Sequence, residues 1–129
     1  MNLETVLFAG GIYNIVIVIF HLLFWKLFKW KKDLASLTFI NKAVMQVLNL
    51  SLTFIFLIFA YISLFHAHEL LSTNLGNSLL LLISVFWFLR AVEQIIFFGL
   101  KNVTSIMFFV FFLLGSIIYL YPFLKSIKA

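Results

Sequence analysis

Arg90, Glu93 and Gln94 interrupt a long apolar run between Leu79 and Leu100. Glu93 follows Arg90 by three positions and Gln94 by four, so a helix would carry all of them on one side. A charge at the centre of a helix in hydrocarbon costs about 2.5–3.5 kcal/mol on insertion scales, so each needs a partner. The opposite charges can neutralise each other and hold neighbouring helices in register. Alternatively, the guanidinium fork can seat a carboxylate or an anionic headgroup, and the site can handle an ion or a proton. His21, in the first apolar run, can relay protons or ligate haem or a metal, and hydrogen bonding to a neighbour is its plainer use. Gln46 and Asn49 can take the remaining donors and acceptors.

Other arrangements are sparser. His66, His68 and Glu69 form a candidate for a divalent metal. Alternate histidines share a side only in extended chain, and three ligands lack a fourth, so a solvated loop is the favoured reading. A bis-histidine haem would need a second copy of His21, because His66 and His68 belong near the opposite surface. No cofactor is therefore expected, with haem or quinone as the alternative. The chain has no cysteine, which excludes disulfides and thiolate chemistry. It also has no nucleophile beside a base, no paired carboxylates and no glycine-rich phosphate loop. His21 with Glu93 is the one acid–base combination that an enzyme could use. Most lysines flank apolar runs, so the net charge of +5 does not imply a nucleic-acid partner.

The elements that must position these residues are apolar helices. Of 129 residues, 65% are hydrophobic and 10% charged, with a mean hydropathy of +1.21. A soluble domain of this length cannot bury so much apolar surface, so the expected solvent is the lipid bilayer. Eighteen phenylalanines against five glycines and one proline favour continuous helices over the alternation of a barrel. Four spans are predicted, at approximately 5–25, 43–65, 75–99 and 103–120, in a single domain over 1–129. The start, Met1-Asn2-Leu3-Glu4, lacks the basic residues of a signal peptide, so the first run reads as a retained helix. Asp33 is a candidate cap, Gly99 a helix stop, Asn102 or Thr104 a start, and Pro122 follows the last span. Short connections make the expected fold an all-α, polytopic, up-down-up-down four-helix bundle.

Lysine placement orients the bundle. Lys26, Lys29, Lys31, Lys32 and Lys42 lie between the first and second spans and Lys101 between the third and fourth, whereas the second connection has no lysine or arginine. The positive-inside rule puts residues 26–42 and 100–102 in the cytoplasm and both termini outside, against the opposing pull of Lys125 and Lys128. Asn102-x-Thr104, a glycosylation pattern, then falls inside. The expected location is a cell membrane, the bacterial inner membrane.

Depth brings the polar residues together. His21, Asn49, Glu93 and Gln94 all fall roughly 5–8 Å to the cytoplasmic side of their span centres, at 1.5 Å per residue. Gln46 lies deeper and Arg90 near the midplane. Each belongs to a polar stripe at helical spacing, as with Gly10, Asn14, His21 and Trp25, and with Ser105, Phe109, Phe112, Ser116 and Tyr119. The expectation is a buried network of His21, Gln46, Asn49, Arg90, Glu93 and Gln94. The leading function is a non-enzymatic accessory subunit or small oligomeric transporter that binds a small polar or anionic ligand, or a proton. Its partners would be lipid, further copies or other membrane subunits. Two alternatives stand beside it: a redox or lipid-modifying enzyme that uses His21 and Glu93, and a scaffold whose polar layer only sets register.

Overall fold

The computed structural model describes residues 2–128, and every regular element within them is helical. Helix α1 spans Leu3–Leu22. Two single turns, α2 (Phe24–Leu27) and α3 (Trp30–Asp33), and a 3-10 turn at Leu34–Ser36 lead to α4 (Phe39–Phe65). A short α5 (Ala67–Ser72) precedes α6 (Asn74–Glu93), which continues into a π turn over Gln94–Phe98. Helix α7 covers Val103–Lys128. Of these, α1, α4, α6 with its π turn, and α7 are long and apolar enough to cross a membrane.

Side-chain oxygens start the long helices by accepting from backbone N–H groups that lack an intrahelical partner. Asn2 accepts from the Glu4 N–H at 2.9 Å, Thr38 from Asn41 at 3.3 Å, Thr73 from Gly76 at 2.9 Å and Asn102 from Ser105 at 2.8 Å. Thr38, not Asp33, therefore caps α4, and this helix begins at Phe39, so Lys42 lies in its first turn rather than in a connection. Gly99 ends the π turn at φ 71°.

Helix α7 continues through Pro122 instead of ending near Leu120. Proline removes one backbone donor. Here Pro122 is buried, and beyond it the Ser126 hydroxyl donates to the Leu71 carbonyl of α5 at 2.5 Å. Tertiary packing thus carries the helix past a residue that would end an isolated one.

Contacts pair α1 with α4 and α6 with α7, and α1 also packs on α7. Partners run in opposite directions along each pair. His21 meets Asn49 while Gly11 meets Leu64, and Gln94 meets Ser105 while Ser84 meets Ser116. Gly10 lies against Tyr119 and Gly115 against Tyr13, so these small residues serve close approach within one chain. Trp87, 1% exposed, fills the centre. It stacks on Phe56 at 5.2 Å and Phe112 at 5.9 Å and meets Tyr13 edge-on at 5.0 Å, so it joins all four long helices.

Candidate functional site

The six polar residues expected in one network occur in three groups. His21 and Asn49 form the first. His21 Nδ1 lies 2.9 Å from Asn49 Oδ1, and Asn49 Nδ2 donates to the His21 carbonyl at 3.2 Å. The imidazole stacks on Phe24 at 4.3 Å and stays half-buried. Gln46, one turn earlier on α4, donates to the Lys42 carbonyl of its own helix at 3.2 Å. Gln94 is the second group. It is buried against α7 and donates to Ser105 Oγ at 3.0 Å, while the Ser105 hydroxyl donates to the Gly99 carbonyl. The π turn that begins at Gln94 closes the α6–α7 hairpin around this contact.

Arg90 and Glu93 form the third group. The Arg90 guanidinium carbon lies 4.3 Å from the centre of the Phe112 ring. This cation–π contact takes up no hydrogen-bond donor, and among the described residues the guanidinium N–H groups make no hydrogen bond. Phe112 stacks on Trp87 and Trp87 on Phe56, whose ring centre lies 5.1 Å from that of His21, so Arg90 and the His21–Asn49 pair adjoin one aromatic cluster without bonding to each other. Glu93 is exposed, and among the described residues the one ion pair within 4.0 Å is His66–Glu69, so Arg90 and Glu93 do not pair with each other.

The surroundings of that pair follow from how α4 and α6 touch. Phe86 packs on Phe56 at 5.8 Å and on Phe59 at 5.5 Å, which closes the seam on the side of Arg90 away from the π turn. Toward the π turn, Glu93 and Phe97 are exposed and Arg90 is half-buried. Half-buried Arg90 and exposed Glu93 therefore lie on a partly open flank of α6, beside the exposed apolar Phe97.

A second buried polar cluster escaped the depth calculation. Asn14, fully buried, donates to the Gly10 carbonyl at 2.9 Å and to the Tyr119 hydroxyl at 2.8 Å. The Tyr119 hydroxyl also lies 2.7 Å from Ser63 Oγ, and Tyr13 donates to the Phe111 carbonyl at 2.9 Å. On α6, Ser84 donates to the Ser116 carbonyl at 2.8 Å. Asn14 and Tyr119 stood on stripes already visible in the sequence, but Ser63 and Ser84 are short hydroxyls in apolar runs and carry no such signal. Asn14 Oδ1 and Trp87 Nε1 are buried without a partner among the described residues.

The connection between α4 and α6 folds into α5, with His66 at its N-terminal cap and His68 in its first turn, and His66 Nδ1 lies 3.8 Å from Glu69 Oε2. Among the described residues no group of three histidine or acidic side chains is arranged to hold a metal. Searches against protein-family models, curated proteins and solved structures find no match.

Proposed function

We propose that this chain is a multi-pass integral membrane protein that crosses the bilayer four times, up-down-up-down. Residues 26–42 and 100–102 would face the cytoplasm and both termini the outside, in a bacterial inner membrane. Its role is non-enzymatic. It acts as an accessory subunit or a small oligomeric transporter whose polar layer engages a polar or anionic group, or a proton, from outside the chain.

One observation carries this reading: half-buried Arg90 and exposed Glu93 sit on one flank of α6 without forming an ion pair with each other. At 1.5 Å per residue they fall about 6 and 10 Å from the middle of the Asn74–Phe98 helix, inside a hydrocarbon core about 30 Å thick. A scaffold that used them for register would pair both with its own polar groups, whereas Arg90 meets the Phe112 ring and Glu93 turns outward, so a second molecule would satisfy them. The centre of the chain is filled by Trp87, Phe56 and Phe112, so any transport path would run between chains.

The test replaces Arg90→Met together with Glu93→Leu, a pair of apolar residues that the bilayer tolerates. Native mass spectrometry after mild extraction is expected to find wild type with a bound subunit or small molecule, and a helical variant that has lost it. A bare wild-type monomer, with the variant indistinguishable from it, would overturn the reading.

A further inference from the structure

Half-buried Arg90 and exposed Glu93 carry opposite charges one turn apart on α6, and this flank is complementary to itself. We infer that two copies of the chain associate through α6 about a two-fold axis along the membrane normal, with Arg90 of each copy paired to Glu93 of the other. This inference rests on the reading that the polar seam is completed from outside the chain.

Three features point to a second copy. An isologous contact matches residue i to j and j to i, so one Arg–Glu couple supplies two reciprocal ion pairs. The three-residue separation offsets the charges by about 4.5 Å along the helix, within reach of an arginine side chain. The spacing is also that of a helix pair. Arg90, Glu93 and Phe97 follow one another by three and four, the spacing of one helix face, while Phe86 one turn earlier is packed within the chain. Exposed Leu82, Leu89 and Ile96, seven apart, extend the apolar contact along one side.

Stoichiometry of charge separates this occupant from others. A free anion at Arg90 would leave Glu93 exposed in apolar surroundings, and a cation at Glu93 would leave Arg90 unpaired. A second copy satisfies both. Because the Phe112 contact takes up no hydrogen-bond donor, Arg90 can keep it and still donate N–H groups to the carboxylate.

The chain has no cysteine, so a single introduced thiol reports the contact directly. Phe97→Cys, one turn beyond Glu93, is expected to form a disulfide-linked dimer when membranes are oxidised. Val110→Cys, on the outer face of α7, is expected to stay monomeric. In the Phe97→Cys background, Arg90→Glu or Glu93→Arg alone should reduce the dimer band at least several-fold, and the two together should restore it. Absence of cross-linking at position 97, or an exchanged double variant that is helical but does not cross-link, overturns the pairing. Native mass spectrometry of the same extracts separates the failures. A chain bound to a different subunit or to a small molecule sinks the second copy alone, and a bare monomer sinks the broader reading with it.

Discussion

The Tyr119 hydroxyl meets Asn14 at 2.8 Å and Ser63 at 2.7 Å, so a single phenol ties α7 to both α1 and α4. Gly10 makes the room: a Cβ there would come within 2.8 Å of the Tyr119 ring and hydroxyl. Removal of the hydroxyl would not strand its partners, because Asn14 still donates to the Gly10 carbonyl and Ser63 to the Phe59 carbonyl. The loss should therefore be moderate. Interhelical hydrogen bonds in membranes average about 0.6 kcal/mol and reach about 1.7 kcal/mol. Tyr119→Phe is expected to lower the unfolding free energy by about 1 kcal/mol, measured by denaturant titration in detergent with circular dichroism. A cycle with Ser63→Ala tests the source of the loss. The two substitutions should be non-additive by about 0.5 kcal/mol or more, and simple additivity would mean that the Ser63–Tyr119 bond adds nothing.

At the scale of elements, α5 is the piece that the amino-acid pattern did not resolve. Residues 66–74 read as a polar connection, yet Ala67–Ser72 form a turn and a half of helix whose Leu70 is buried. Its signal is too short for periodicity to reveal, and its fixed point lies elsewhere in the chain, at Gly76. A Cβ on Gly76 would overlap the backbone of Glu69 and Leu70. Backbone atoms cannot rotate aside as a side chain can, so a methyl group must push α5 off α6. Gly76→Ala is expected to cost about 1–3 kcal/mol, the range for overpacked interiors. Amide exchange should rise specifically in residues 67–72, while α1 and α4 stay protected. The ends of α4 and α7 have the same origin. Thr38 and the Ser126–Leu71 contact set them, and neither Asp33 nor Pro122 reveals this in isolation.

For the whole molecule, hydropathy made the four long helices legible, because nothing subtler than apolar length is needed to read them. Depth and face also anticipated that His21 and Asn49 would meet. They did not anticipate that Gln94 turns to Ser105 across the hairpin, or that Glu93 turns outward. One helix can hold polar residues at one depth and still direct neighbours such as Glu93 and Gln94 to different partners, and only the packing of all four helices decides which. Orientation in the bilayer is a property of the whole chain as well. Lys26, Lys29, Lys31, Lys32, Lys42 and Lys101 lie toward one end of the helices, while Lys125, Lys128, Glu4 and Glu69 lie toward the other. The lysines of the first group outnumber those of the second by six to two, and acidic residues contribute little to the rule, so the first end should face the cytoplasm. Single cysteines at exposed Lys32 and His68 test this in a chain that has no thiol of its own. In intact cells a membrane-impermeant maleimide is expected to label His68→Cys and to reach Lys32→Cys only after lysis. The opposite pattern would invert the orientation and give Lys125 and Lys128 the deciding role. Labelling of both sites in intact cells would mean that they share the outer side, which four crossings do not allow.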